Sequence, residues 1–277
     1  MQLKILGSGG GEGYPALFCS CEHCTAARRV RGKNLRSLSQ SLVDGKLLID
    51  LPADTFMHFL REGIDFGEIE HLLITHTHND HYVPNILDTR GDGFAPVMKV
   101  GQLHIYGNAD VKRLFDGIFA LQPIRKEIRD NIIFHTLTPF RKVQIGGYRV
   151  TPLKANHDPS QVALNYIIDD GECALLYLLD SGYPAAETLE VIEKYGKKFA
   201  CVVMDGTMGV NQYVHHMNFA ENIALKQYLE QAGAADKRTR FITAHITHNH
   251  AGLHESIEKY FEESGIVPAY DGMTVEF

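Results

Sequence analysis

With 277 residues, 44% of them hydrophobic, the chain can bury an ample core in one large domain or two small ones. A formal net charge of −7 disfavours a broad nucleic-acid surface, because phosphate backbones are held mainly by clustered Lys and Arg. Small anionic substrates stay compatible if a metal supplies the positive charge. No apolar run approaches the roughly 20 residues of a membrane helix, and residues 1–6 read as a strand and not as a signal peptide, so a cytoplasmic location is expected.

In chain order, runs rich in Val, Ile and Leu bounded by turn residues predict strands over 2–6, 40–50, 70–75, 102–106, 131–135, 142–153, 162–168, 173–179, 199–204, 240–245 and 273–277. Helical periodicity predicts helices over 53–62, 109–119, 185–196, 218–232 and 253–264, the first following Pro52 and the fourth capped by Asn218. No linker, repeat or low-complexity tract interrupts this order. Strands outnumber helices and the helices fall between strand groups, which predicts a layered α/β fold with helices covering the sheet faces.

The glycine-rich run from Gly7 to Gly13 follows the first strand but lacks a Lys-Ser/Thr ending, and no helical pattern follows it. It is expected to be a tight loop packed near a site and not a phosphate loop. Next come Cys19, Cys21 and Cys24, three of the five cysteines within six positions. Without a secretory signal this crowding points to a metal and not to disulfides, and three thiolates need a fourth ligand to close a tetrahedral zinc site. Cys173 and Cys201 read as small core residues. The basic stretch 28–33, with Arg36 close behind, reads as a solvated face.

Histidine is over-represented, with 15 in the chain. The run Thr75-His76-Thr77-His78-Asn79-Asp80-His81 sets three imidazoles and a carboxylate directly behind the apolar Leu72-Leu73-Ile74. Imidazole nitrogen and carboxylate oxygen are preferred ligands of zinc, manganese and iron, and unpaired groups of this kind at a buried strand end would be costly. His76 and His78 fall on one side of an extended stretch, while Asp80 and His81 sit around the following turn and can face a second ion. Three later predicted strands also end in a ligand-type residue, namely His157, Asp180 and His245. Strand ends are where an α/β scaffold gathers a site, and the seven candidates match what two ions sharing one carboxylate require.

These residues resemble a known family. The run from His76 to His81 matches the His-x-His-x-Asp-His signature of the metallo-β-lactamase superfamily, and the order of His157, Asp180 and His245 is similar to that family's. The resemblance covers nearly the whole chain and implies one domain over 1–277, a four-layered αβ/βα sandwich with a dinuclear site at one edge of its two sheets. It assigns His76, His78 and His157 to one ion and Asp80, His81 and His245 to the other, with Asp180 bridging. Asp80 also counts as a catalytic residue, and Asp50 is expected to support ligands and not to bind.

Within the superfamily, the cysteine run, His245-Ile246-Thr247-His248 and Tyr270-Asp271-Gly272-Met273 look like the PhnP branch of cyclic phosphodiesterases. That resemblance implies a structural zinc on Cys19, Cys21, Cys24 and His248, with His23 and His250 as less well placed alternatives. It puts the general acid at His216, although His215 beside it leaves the register open. Arg90 is a candidate phosphate contact or an exposed loop arginine. Two divalent ions, manganese or zinc, would acidify a shared water and neutralise phosphate oxygens, which suits hydrolysis of a small cyclic or diester phosphate. A tRNA 3′-processing nuclease shares the ligands, but its basic Gly/Pro-rich arm is not evident here. A PqqB-like, non-hydrolytic metal-binding or cofactor-biosynthesis protein is the reading from a different class. A homodimer is compatible with each.

Overall fold

The computed structural model describes residues 1–91, 93–249 and 251–277, so the alternative zinc ligand His250 lies outside the described residues. Its first sheet contains β1 (Gln2–Gly7), β2 (Gln40–Val43), β3 (Leu47–Ile49), β4 (His71–Leu73), β5 (Leu103–Gly107) and β6 (Ile132–Thr136). The second contains β7 (Val143–Ile145), β8 (Tyr148–Lys154), β9 (Leu164–Asp169), β10 (Ala174–Leu178), β11 (Cys201–Asp205), β12 (Arg240–Ala244) and β13 (Val267–Pro268). The last strand, β14 (Met273–Glu276), returns to the first sheet, so the strand orders are β14-β1-β2-β3-β4-β5-β6 and β13-β12-β11-β10-β9-β8-β7.

Central strands such as β10 read as unbroken apolar runs because both of their faces are covered. Leu175 and Tyr177 point into the layer between the sheets, where they join Leu73 and Tyr106 of the first sheet. Leu176 and Leu178 point the other way, under α5 (Ala186–Glu193), α6 (Phe219–Gln231) and α7 (His254–Phe261), against Ile192, Leu225 and Phe261. On the opposite side Leu72 and Ile105 pack on α2 (Thr55–Glu62) and α3 (Ala109–Leu121) through Phe59, Val111 and Phe115. Helix, sheet, sheet and helix layers follow, which is the αβ/βα sandwich.

Several expectations are refined. The 40–50 stretch is a hairpin, β2 and β3, whose three-residue loop Asp44-Gly45-Lys46 turns at Asp44 and Gly45, both at positive φ. The 142–153 stretch likewise splits into β7 and β8 around Gly146-Gly147. Short helices α1 (Glu22–Val30) and α4 (Lys126–Asp130) and the strand β13 were not predicted. In α1 the local pattern is dominated by the cysteine loop, and Cys21 is itself the N-cap, its sulfur accepting from the Cys24 amide.

The basic stretch 28–33 is exposed, as expected, but Arg36 behind it is not. Arg36 is only 3% exposed: its guanidinium donates to Ser8 Oγ at 3.0 Å, to the Ala269 carbonyl and to His254 Nδ1 at 2.9 Å. Arg28 braces the cysteine loop through the carbonyls of Cys19 and Ala16. A five-donor fork suits this joining of distant loops, and local charge patterning does not reveal it. Among the described residues no helix is long and apolar enough to cross a membrane.

Candidate metal centre and active site

The loops leaving β4, β8, β10 and β12 bring His76, His78, Asp80, His81, His157, Asp180 and His245 together in two overlapping donor sets. Asp50, Asp180 and His245 each hold a left-handed backbone, with φ of 67°, 51° and 58°. Non-glycine residues keep that conformation only where the surroundings enforce it, and here it turns side chains at three strand ends toward one place.

In the first set His78 Nδ1 stands 3.0 Å from His76 Nε2 and 3.1 Å from His157 Nε2. Asp180 Oδ2 completes it, 3.0 Å from His76 Nε2 and 3.3 Å from His157 Nε2. In the second set His81 Nε2 lies 3.2 Å from Asp80 Oδ2, from His245 Nε2 and from the same Asp180 Oδ2. Donors about 2.0–2.2 Å from one ion stand roughly 3.0–3.5 Å from each other, so both sets fit a divalent cation. Asp180 Oδ2 is common to both.

The outward nitrogens of His78, His81 and His245 are engaged, which fixes their tautomers, while His157 Nδ1 is buried without a hydrogen-bond partner. His81 Nδ1 donates to Asp50 Oδ2 at 2.8 Å, and Asp50 also accepts from the Thr75 amide and hydroxyl. Asp50 therefore supports a donor, as expected. His78 Nε2 donates to Asp158 Oδ2 at 3.1 Å, and His245 Nδ1 donates to Thr207 Oγ1 at 2.7 Å. Such partners orient imidazoles for a metal. Burial opposes charge on both Asp80 and Asp180, but the surrounding histidines hold their carboxyls below the ordinary range. Burial and the charge of His81 push His76 down to about 3.

His216, and not His215, reaches this cluster. Its Nδ1 lies 3.1 Å from Asp180 Oδ1 and 3.4 Å from Asp205 Oδ2, and its ring meets that of His157 edge-on at 4.9 Å. Burial opposes its protonation, yet hydrogen bonds to Asp180 and Asp205 raise it to about 10. His215 instead lines a cleft of about 590 Å³ beside the donors, with Arg113, Lys154, His157, Asp158 and Val162. Arg90 makes no phosphate-like site: it donates to the carbonyls of Val100 and Gly101 and so braces its own loop.

Asp205 was missed. It is fully buried at the end of β11 and accepts from the Thr207 amide and from the Thr207 hydroxyl, and that hydroxyl in turn holds His245. The signal was present, since Val202-Val203-Met204-Asp205-Gly206 is an apolar run ending in a carboxylate, like the run before Asp180. Asp158 and Gln161 were also missed. Gln161 accepts from the Thr77 amide and donates to Asp158, tying the 158–161 turn to the histidine loop, and no periodicity announces such a contact.

A separate set joins Cys19, Cys21, Cys24 and His248. His248 Nδ1 lies 3.6 Å from Cys19 Sγ and 3.5 Å from Cys21 Sγ, close to the roughly 3.6 Å edge of a tetrahedral zinc with sulfur at ~2.3 Å and nitrogen at ~2.0–2.1 Å. His248 Nε2 faces Glu12 Oε1 at 3.2 Å. All five cysteines are free thiols. An amide hydrogen bond from Cys24 lowers the Cys21 thiol to about 6, toward the thiolate a metal requires. His23 is outside the set, near Glu22. The glycine run lies between the two sites: a Cβ on Gly10 would stand 3.2 Å from the His245 ring, and one on Gly11 3.4 Å from Asp80 Oδ2.

Residues 47–246 match the model of the beta-lactamase superfamily domain, a span that contains all seven clustered donors and His216. Coenzyme PQQ synthesis protein B of Methylobacterium radiotolerans is 34% identical over 146 residues, 47% of this chain and 48% of that protein. Ribonuclease Z of Clostridium novyi is 25% identical over 178 residues, 61% of this chain and 51% of that protein. The chain thus spans about half the length of the curated relatives it matches. In fold it is similar to a crystal structure described as a new diphosphatase from the PhnP family, with a TM-score of 0.76, 22% identity and coverage of 100% of this chain and 97% of that one. Since the family match takes in most of the chain and the two-sheet sandwich agrees with it, the chain belongs to the metallo-β-lactamase superfamily, whose members are mostly metal-dependent hydrolases.

Proposed function

We propose that the chain is a dinuclear metal-dependent phosphodiesterase acting on small cyclic or diester phosphates, with manganese or zinc in the two histidine-carboxylate sets and a structural zinc on the cysteine set. One observation carries the reading: Asp180 Oδ2 serves both donor sets, 3.0 Å from His76 Nε2 and 3.2 Å from His81 Nε2, while His216 Nδ1 stands 3.1 Å from the other oxygen of the same carboxylate. When bound, two such ions supply charge for phosphate oxygens and acidify a water for attack at neutral pH.

The chain's own residues do the rest. Asp50, Asp158 and Thr207 hold His81, His78 and His245 in the tautomers that present a lone pair inward. Asp180 and Asp205 engage His216 at Nδ1, which leaves its Nε2–H to protonate the departing alkoxide. The cleft beside His157 and His215 has room for the organic part of a small diester.

Metal analysis with turnover of bis(p-nitrophenyl) phosphate and 2′,3′-cyclic nucleotides tests this. About three ions per chain are expected, and His216→Ala should lower turnover of the cyclic nucleotides by about 10²–10⁴. Equal turnover in the variant would remove the general-acid role. A second reading, a non-hydrolytic protein like the PQQ synthesis relative, is favoured by the 34% identity to that protein over about half the chain. It expects a single zinc and no diester turnover.

A further inference from the structure

His245 of the second donor set and His248 of the cysteine set stand three positions apart on the segment leaving β12. His245 keeps its left-handed backbone, φ 58°, because the neighbouring chain pins the segment. The Ile246 amide donates to the Ser8 carbonyl at 3.0 Å, and the Gly10 amide donates to the Ile246 carbonyl at 3.2 Å. Thr247 Oγ1 donates to the Thr207 carbonyl at 2.9 Å, while a Cβ on Gly10 would stand 2.6 Å from Thr247 Cγ2.

These contacts tie the His245 segment to a glycine-rich loop with little stiffness of its own. That loop runs straight on into Cys19, Cys21 and Cys24. The two loops, from opposite ends of the chain, are therefore closed a second time where His248 Nδ1 meets the sulfurs of Cys19 and Cys21. His76 and His78 leave from β4 and are oriented by Thr75 and Asp158, and His157 follows β8.

We propose that the cysteine set is a latch that positions His245, so that an ion held by Cys19, Cys21, Cys24 and His248 raises the affinity of the Asp80–His81–Asp180–His245 set for its own ion and leaves the His76–His78–His157 set nearly unchanged. His248 is thus a positioning residue for a site it does not touch. Binding of a metal to Cys19, Cys21, Cys24 and His248 also fixes the two loops that supply them against each other, and His245 lies three residues from His248. The inference rests on the two-set reading above.

Zinc titration of the metal-free full chain, followed by calorimetry and by imidazole ¹⁵N spectra, tests it. Cys19→Ser/Cys21→Ser is the first variant, since a serine at position 21 can keep the cap on α1. Wild type should take up about three ions. The variant should hold the ion of His76, His78 and His157 within about threefold of wild type and bind the ion of His81 and His245 about 10- to 100-fold more weakly. In the otherwise wild-type chain, His248→Cys, which completes a four-thiolate tetrahedral set with Cys19, Cys21 and Cys24, should keep the second ion at wild-type affinity, whereas His248→Ala should weaken it as the double variant does. Loss of the cysteine ion alone, equal weakening of both catalytic ions, or weakening of the second ion in His248→Cys would each overturn the latch. Uptake of a single ion by wild type would instead remove the two-set reading itself.

Discussion

At the scale of single residues, His216 takes its chemistry from two carboxylates more than from its own ring. Asp180 belongs to the donor sets, whereas Asp205 is free to act on His216 and, through Thr207, on His245. Asp205→Asn keeps the shape of the side chain and removes the charge that holds the His216 Nδ1 proton. For substrates that leave as alkoxides, kcat should fall by about 10- to 100-fold. For bis(p-nitrophenyl) phosphate, whose leaving group needs no proton, it should change by less than about threefold. Comparison of the two substrates in one preparation checks this; an equal loss on both would place Asp205 in metal support alone. Each donor type was legible in the sequence because imidazoles and carboxylates closed apolar runs. The roles of Asp205 and Asp158 were not, since a supporting carboxylate has the composition of any buried polar residue.

At the scale of elements, the segment carrying His216 is held down by contacts with the loops after β8 and β10. Asn156 Nδ2 donates to the Val214 carbonyl at 3.0 Å, the Met217 amide donates to the Ser181 carbonyl at 3.0 Å, and a Cβ on Gly182 would stand 2.1 Å from Val214 O. Gly182→Ala must therefore push this backbone away from the donors. A displacement near 1 Å costs about 10² in kcat, and because Asp180 stands two positions from Gly182 on the same loop, metal content reads whether that donor moves as well. Measuring kcat beside metal stoichiometry distinguishes displacement of His216 from loss of an ion. The hairpins β2–β3 and β7–β8 were partly legible, since Asp44-Gly45 and Gly146-Gly147 are turn pairs within the predicted runs. Helix α1 was not, because its first turn serves the cysteine set and its apolar pattern is short.

At the scale of the whole molecule, two histidines far from the donors couple stability to pH. Burial lowers His58 to about 4 against the pull of Asp271, and burial together with Arg36 lowers His254 to about 4. Above the unfolded value of about 6.5 both are neutral in either state, so their contribution to the stability of the metal-free chain is fully present. As pH falls from about 6.5 toward about 4 the unfolded chain binds protons that the folded chain refuses, and stability is lost through that window. His58→Gln should remove up to about one proton from this dependence, read from urea midpoints at pH 7 and pH 5. An unchanged dependence would mean that His58 is protonated in the fold.

The sequence by itself determined the layered α/β class and most strand positions, and it pointed to the seven residues that gather in the two donor sets, because each closes an apolar run or stands in one short histidine-rich stretch. Only the tertiary structure decided that one oxygen of Asp180 serves both sets, that His216 and not His215 faces them, and that Arg36 is buried. These depend on residues such as His81 and His245, 164 positions apart and 3.2 Å from each other. Such proximity arises from the pairing of two sheets and the left-handed turns at their strand ends, and local periodicity does not encode it.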